Sequence, residues 1–221
     1  MQVQDNAEGV TRFRLEHKAE PLSRRAGDHL PELIGWRHVL RDLGLIGEDP
    51  GRYDGAAFGI LSCRLGRGFE PPGRRSFVIT GTQTSGLVAV SAEDFAIVDR
   101  CMSDANLVVS HGPAPPSSEA MTHSALYDID AGVGAVFHAH SPSLWSHARE
   151  LDLPTTRPEI EYGTPEMASE VARLFRLGDL RGTGLLVMAG HLDGVISFGR
   201  DSDEAGTTLV RALAGSLRPS T

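Results

Sequence analysis

A short apolar run at residues 133–137 ends in the triplet His138-Ala139-His140, and this pattern predicts a buried strand that carries two imidazoles. In an extended strand, side chains two positions apart lie on the same face, so the two rings can reach one ion. Imidazole is the commonest metal ligand in proteins, and Zn²⁺ is frequently bound by it. The alternative is that one histidine packs in the core against a carbonyl while the other lies at the surface. A third ligand and a nearby carboxylate would favour the metal site.

The size and charge of the chain favour a single domain that acts on a small molecule. Its 221 residues suffice for one domain with a sizeable core, and no apolar stretch approaches the roughly 20 residues that span a bilayer. The polar, acidic first residues lack the pattern of a secretory signal, so we expect a soluble, cytoplasmic protein. A net charge of -8 without a basic cluster argues against nucleic acid or an anionic membrane as the partner.

Two residue types limit the chemistry. Cys63 and Cys101 are too few for a disulfide framework and form no C-x-x-C motif, so we expect both to be reduced and structural. The single lysine, Lys18, lies outside any apolar pattern that could remove it from water. A Schiff-base mechanism is therefore disfavoured, since such a lysine needs burial or a cationic neighbour to lower its pKa.

The order of apolar patterns predicts a three-layer α/β fold around a mostly antiparallel or mixed sheet. Residues 1–28 carry mixed charge and little apolar periodicity, which indicates an N-terminal arm that is partly disordered; residues 29–221 form the domain. A helix is predicted from residue 30 to about 45, and a short helical turn at residues 92–98. The other predicted elements are strands at 59–65, 76–80, 106–110, 133–140, 184–190 and 194–198, and helices at 117–128, 165–176 and 203–217.

The helix predicted at residue 117 begins with groups that suit either catalysis or simple capping. If Ser117 is the N-cap, Glu119 lies in the first turn, and His123 and Tyr127 follow it at intervals of four on one face, which could line a pocket. Ser117, Ser118 and the backbone N–H groups of the helix start could hold an anion. The simpler interpretation of Glu119 is a carboxylate placed where the helix dipole favours negative charge.

His191 is the candidate for a third metal ligand. It follows a predicted buried strand and precedes a glycine-containing turn, so a different part of the chain could deliver it to the pair at 138 and 140. Three protein nitrogens and one open position form the arrangement of a catalytic zinc site.

Several motifs in one order resemble the class II aldolase/adducin family. The similarity runs from about Trp36 to Leu213. The segments that carry it are 59–64 (GILSCR), 84–86 (TSG), 116–119 (PSSE) with His123 and Tyr127, 134–140 (GAVFHAH), 190–194 (GHLDG) continuing to Gly199, and Glu204-Ala205.

This resemblance implies a Zn²⁺ site of His138, His140 and His191, with Fe²⁺ or Mn²⁺ as alternative ions. It implies Glu119 as the acid/base residue, and a homotetramer with active sites at its subunit interfaces. A tyrosine of the neighbouring subunit acts as proton donor in the aldolases, and Tyr162 lies near the expected interval. An interface or core aromatic is the alternative for Tyr162. The residues implied to hold the anionic end of the substrate are Ser85, Gly86, Ser117 and Ser118.

The family resemblance leads to the functional prediction of a metal-dependent carbon–carbon lyase that acts on a small hydroxylated carbonyl compound through a metal-stabilised enediolate. Ile60 replaces the asparagine of the family's Gly-Asn-Ile-Ser segment and cannot donate a hydrogen bond to a phosphate. The turn at residues 81–86 is also longer than its family counterpart. Alternatives on the same metal site are a decarboxylase, an epimerase, a dehydratase or an Fe²⁺-dependent oxygenase. A non-catalytic, adducin-like module is the remaining alternative.

Overall fold

The computed structural model describes residues 11–66, 69–178 and 180–218. Its centre is an eight-stranded sheet, and strands β2 and β3 form a separate two-stranded sheet. The strands are β1 (Arg14–Ala19), β2 (Gly47–Glu48), β3 (Ala57–Phe58), β4 (Ile60–Arg64), β5 (Phe77–Thr80), β6 (Phe95–Met102), β7 (Leu107–Gly112), β8 (Ala135–His140), β9 (Leu185–Val187) and β10 (Gly194–Gly199). The helices are α1 (Arg24–Gly27), α2 (Leu30–Asp42), α3 (Ala120–Ile129), α4 (Pro142–Ser146), α5 (Pro165–Leu177), α6 (Leu180–Thr183) and α7 (Ser202–Ser216).

The sheet is mixed, as predicted, and β8 lies inside it. The strand order is β1-β7-β6-β5-β4-β8-β10-β9. Strand β1 pairs with β7 in parallel, and every other neighbouring pair is antiparallel. All six residues of β8 are buried. The His-x-His pair is therefore held by hydrogen-bonded neighbours on both sides, with His138 opposite Ile60 of β4 and opposite Ile196 of β10.

Two hydrophobic clusters cover the two faces of the sheet and make the three layers. On one face, Val136 of β8 packs in a cluster with residues of α3 and α5. On the other face, Ala135 and Phe137 pack in a cluster with residues of α2, α4 and α7. Because side chains alternate along a strand, His138 shares the face of Val136, the side that α3 covers. Among the described residues, no helix is both long and apolar enough to cross a membrane.

Helix α3 begins later than the sequence pattern predicts. The predicted N-cap, Ser117, lies outside the helix, which starts at Ala120 with Glu119 as its N-cap residue. Pro116 forms an isolated β-bridge with Gly81, so the chain is still extended just before Ser117. Ser117 instead accepts a hydrogen bond from the backbone N–H of Glu119, at 3.1 Å. The prediction of Ser117 as N-cap is wrong, although its hydroxyl still stabilises the turn that leads into the helix.

The segment predicted as an N-terminal arm is partly a strand of the central sheet. Strand β1 forms its edge, and Phe13 just before it is buried in the core. The alternation of polar and apolar residues over 13–19 is short and charged, which hides the strand in the sequence. The expectation of disorder is therefore wrong for residues 14–19, while residues 1–10 lie outside the described residues.

Candidate metal centre

Three buried histidines meet at one point, as the sequence predicts. One nitrogen from each of His138, His140 and His191 lies within 4.8 Å of the other two. The Nε2 atoms of His138 and His140 are 3.1 Å apart. Two nitrogen ligands on one tetrahedral Zn²⁺ at about 2.0–2.1 Å lie about 3.3 Å from each other, so this spacing suits a shared divalent ion. The donor set fits a metal, whose identity the geometry leaves open.

A tight turn between β9 and β10 delivers His191 to the pair on β8. The backbone N–H of His191 donates to the Met188 carbonyl at 3.0 Å, and the N–H of Gly194 donates to the His191 carbonyl at 2.9 Å. Gly190 lies so close to another loop that an added Cβ would be 2.2 Å from the carbonyl oxygen of Ile160. A side chain at position 190 would therefore force either this loop or the turn that carries His191 to shift.

The surroundings of the histidines favour neutral rings that can bind a metal. The Nδ1 of His138 lies 3.2 Å from the carbonyl oxygen of Val195. Since a carbonyl only accepts hydrogen bonds, Nδ1 carries the proton and Nε2 keeps its lone pair. Burial, with smaller effects from the neighbouring histidines, chiefly His191, lowers the pKa of both His138 and His140 well below the usual value. Neutral imidazoles are what a divalent cation requires.

Glu119, the residue predicted to act as acid/base, lies next to the three histidines. Its side chain is fully buried, and Oε1 is 3.5 Å from Nδ1 of His191. The backbone places it at the N-cap of α3, where the helix dipole stabilises a carboxylate. Dipole compensation alone would be served equally well by an exposed side chain. The complete burial beside His191 instead supports a role at the site.

Tyr162 also lies at the site, and its own chain places it there. Its ring is 1% exposed and stacks on the ring of His191, with centroids 4.4 Å apart and planes at 26°. The guanidinium of Arg12 lies over the same ring, 4.9 Å from its centroid, and pairs with Glu161. The family resemblance assigns the role of proton donor to a tyrosine of the neighbouring subunit. Here the contact between Tyr162 and His191 is made within one chain. No sequence pattern indicated the contact of Arg12 with Tyr162.

The residues predicted to hold an anion are close together but are largely engaged. The bridge between Gly81 and Pro116 brings the turn at 81–86 next to Ser117 and Ser118. The Ser85 hydroxyl donates a hydrogen bond to the carbonyl of Gly59, and the Ser117 hydroxyl accepts one from the backbone N–H of Glu119. The guanidinium groups of two arginines on α2 bind the carbonyls of the turn, which fixes its shape; they are Arg37 and Arg41.

An acidic side chain lies against the glycine of this turn. A Cβ added to Gly86 would be 2.2 Å from Oε2 of Glu48, so the carboxylate occupies the side that glycine leaves open. Like charges repel, and a dianionic phosphate at Gly86 would meet this carboxylate. Together with Ile60, Glu48 argues against phosphate binding at the turn.

Below the metal centre, three polar side chains form a buried hydrogen-bonded group. Ser62 of β4 lies 2.7 Å from Nδ1 of His123 and 2.7 Å from the hydroxyl of Tyr127. The predicted shared face of His123 and Tyr127 on α3 is confirmed, but both residues are fully buried against the sheet and line no open pocket. Burial lowers the pKa of His123 to about 3.

Replacement of Ser62 by alanine is expected to cost about 1–3 kcal/mol of unfolding free energy, because His123 and Tyr127 lose their shared partner inside the protein. The matched control is Ser197→Ala on β10, a fully buried serine whose hydroxyl has no hydrogen-bond partner among the described residues. Urea unfolding of both variants measures the difference. Equal losses in both would contradict this interpretation of Ser62.

A second group of side chains, which sequence reasoning missed, packs on the outer side of His140. The ring of Tyr53 lies 4.6 Å from the His140 ring, and the ring of Phe58 lies 5.3 Å from it. The Tyr53 hydroxyl is 2.7 Å from Oδ2 of Asp193, in the turn that follows His191. Burial and this hydrogen bond raise the pKa of Tyr53 above its usual value. No motif marks these residues. The segment that joins β2 to β3 carries Tyr53, and β3 itself carries Phe58.

An α/β fold with three converging imidazoles beside a buried carboxylate is the arrangement of the class II aldolase fold, and the histidine group is consistent with a divalent metal site. The family model for the class II aldolase and adducin N-terminal domain matches residues 51–212. The chain therefore belongs to the class II aldolase/adducin family, as the sequence motifs indicated.

Solved structures share this fold at low sequence identity. A sugar-phosphate aldolase from Thermotoga maritima aligns over 86% of this chain and 92% of its own, with 16% identity and a TM-score of 0.64. The L-fuculose-1-phosphate aldolase from Thermus thermophilus aligns over 90% and 100%, with 20% identity and a TM-score of 0.57. YgbL from Escherichia coli, a candidate aldolase/epimerase/decarboxylase, aligns over 90% and 94%, with 15% identity and a TM-score of 0.61. At these identities the likeness establishes the fold alone.

Proposed function

We propose that this protein is a metal-dependent carbon–carbon lyase of the aldolase type, acting on a small hydroxylated carbonyl compound. The observation that carries the proposal is the buried carboxylate of Glu119 beside His191, within a set of three converging histidines. A structural metal site would need no acid/base group at its side, whereas carbon–carbon cleavage needs one.

The ion we propose is Zn²⁺, with Fe²⁺ or Mn²⁺ as alternatives. Three imidazoles leave a coordination position for substrate, and zinc commonly occurs in such sites. When bound, the cation would polarise the substrate carbonyl and stabilise the negative charge of an enediolate. His138, His140 and His191 would hold it.

In this proposal the side chains of the protein move the protons. The Glu119 carboxylate accepts a proton from the substrate and returns it to the carbon left by the broken bond, so it ends the cycle unchanged. The Tyr162 phenol, stacked on His191, would donate a hydrogen bond to the oxygen of the departing carbonyl fragment and keep its proton throughout the cycle. The burial of all these groups excludes water, which strengthens their electrostatic effects.

The position of the single lysine supports metal chemistry over a Schiff base. Lys18 is an exposed residue of the edge strand β1. A hydrogen bond to Glu20 raises the pKa of its ammonium group, the opposite of what a nucleophilic amine needs. Enediolate stabilisation by an ion is the route that remains for this chain.

Related reactions on the same site form the second candidate. Epimerases and decarboxylases share the stabilised carbanion with aldolases, and the likeness to YgbL makes them relevant. Oxygen consumption that depends on added Fe²⁺ would select an oxygenase instead. A non-catalytic, adducin-like module is disfavoured by the complete set of three histidines and Glu119.

We also propose that the protein works in the cytoplasm as a homotetramer with a small carbonyl compound as its partner, as the family resemblance implies. Sedimentation of the purified protein measures the assembly. A monomer that retains full activity would overturn active sites that depend on subunit interfaces.

The proposed function is tested by deuterium exchange. Metal-loaded protein is incubated in D₂O with hydroxyacetone or dihydroxyacetone, and NMR follows the loss of the C–H signal beside the carbonyl. Exchange that requires the metal is expected, since enediolate formation removes this proton. Absence of exchange with every hydroxylated ketone and aldehyde of a panel would contradict the proposal.

A further inference from the structure

Arg52 is a cation held in place beside the metal centre. Its guanidinium stacks over the rings of Tyr53 and Phe58, 4.9 Å and 4.6 Å from their centroids. Nη2 donates to the Tyr53 hydroxyl at 2.7 Å. Two faces of aromatic rings and one hydrogen bond orient the planar group, so little side-chain freedom remains to be lost on binding a ligand.

The same two rings connect Arg52 to the metal ligands. Both Tyr53 and Phe58 also pack on the ring of His140. One aromatic layer, the rings of Tyr53 and Phe58, therefore separates the guanidinium from His140. A substrate that reaches from the ion to Arg52 is consequently small, in keeping with the proposed class of compound.

The charge of Arg52 has no carboxylate partner in the part of the chain that the structure describes. Other arginines are paired there: Glu161 pairs with Arg12, and Glu204 pairs with Arg200. Arg52 makes only a long contact of 3.4 Å to the Gly44 carbonyl besides its bond to Tyr53. A half-buried guanidinium without an anion is an available binding group, and its fork of N–H donors matches a carboxylate in two parallel hydrogen bonds.

Arg52 faces open space of suitable size. It lines a cleft of about 320 Å³ whose wall also includes Arg41, Phe58 and two acidic residues, Glu48 and Asp49. Arg41 uses its guanidinium on the carbonyls of residues 85–87. Glu48 places a negative charge against Gly86, where the family resemblance would put a phosphate. Among the described residues, the cleft therefore offers in Arg52 a cation without a carboxylate partner, and the position for a phosphate is covered by the acid Glu48.

We propose that Arg52 binds a carboxylate of the substrate, so that the enzyme acts on a hydroxylated carbonyl acid and not on a sugar phosphate. This inference rests on the proposed function. It names Arg52 as a specificity-determining residue outside the motifs of the family.

Three chelating probes that differ only in their tail test the proposal on the metal-loaded protein. Acetohydroxamate has a neutral methyl tail, malonomonohydroxamate has a carboxylate, and phosphonoacetohydroxamate has a phosphonate. Isothermal titration calorimetry measures their dissociation constants. The carboxylate probe is expected to bind about tenfold more tightly than acetohydroxamate, because a hydrogen-bonded charge pair contributes at least this much. The phosphonate probe is expected to gain less.

Substitutions at Arg52 assign the effect. In Arg52→Gln the advantage of the carboxylate probe should disappear while acetohydroxamate still binds within twofold of the wild-type affinity. That retained binding, with unchanged metal content, shows that the variant is folded. Arg52→Lys should keep part of the advantage, and Arg149→Gln, at an exposed arginine, should keep all of it.

Two other outcomes would overturn the inference in different ways. Equal affinities of the wild type for the neutral and carboxylate probes, or an advantage that survives in Arg52→Gln, would overturn the role of Arg52 alone. No binding of any hydroxamate to metal-loaded protein would overturn the proposed function, and this inference with it.

Discussion

Replacement of Glu119 by glutamine should slow the metal-dependent C–H exchange by about 100- to 10,000-fold, the usual contribution of a positioned acid/base group. Glutamine has nearly the same shape as glutamate but cannot take up a proton. Because the two side chains are nearly isosteric, the buried position beside His191 should accept the amide and the fold should survive. Exchange is measured by NMR in D₂O with the same hydroxylated ketones.

The metal content of Glu119→Gln is the necessary control, since a variant that loses the ion would be inactive for another reason. We expect the content to match that of the wild type, because the three histidines remain. A variant with full metal content and wild-type exchange would show that Glu119 is not the acid/base residue. The carboxylate would then serve only to orient His191 or to compensate the helix dipole.

The metal-free protein should lose stability as the pH falls below about 6.5. The pKa of His123 is about 3 in the folded protein and 6.5 without burial, so between these values the unfolded chain binds one more proton. Stability therefore rises with pH across this window and is lost as the pH falls through it. At pH 5 this one histidine contributes a loss of about 2 kcal/mol relative to pH 7.

The lowered pKa values of His138 and His140 act in the same direction, so the fold should be markedly acid-labile. Urea unfolding in the presence of a chelator, at several pH values between 4 and 7, measures the slope. Replacement of His123 by glutamine should reduce this slope by about 1.4 kcal/mol per pH unit, the value for one proton. Identical slopes for variant and wild type would contradict a buried neutral His123.

The convergence of the three histidines was predictable only in part from local signals. The period-two spacing of His138 and His140 after an apolar run indicates a shared strand face, whereas the family resemblance, and not spacing, joined His191 to the pair. The mixed sheet was predictable from the order of apolar runs. The strand β6 (Phe95–Met102) was missed, because charged residues interrupt its apolar pattern. Of the helical turn predicted at residues 92–98, only residues 92–94 are helical.

The surroundings of the centre could not be predicted, because tertiary contacts between distant segments decide them. Arg12 reaches Tyr162 across the fold, and Tyr53 reaches Asp193 over 140 positions of sequence. The carboxylate of Glu48 covers Gly86 only because strand β2, which no motif marks, lies against the turn. Such contacts depend on loop geometry, for which local residue patterns give no signal.

The central claim is that His138, His140 and His191 bind a catalytic metal ion. It is tested most directly by elemental analysis of metal per subunit in the wild type and in the His138→Ala/His140→Ala variant, prepared identically. We predict about one divalent ion per subunit in the wild type and almost none in the variant, since two of three ligands are removed. A wild-type protein without metal after growth with ample zinc, iron and manganese, or a variant with unchanged content, would contradict the claim.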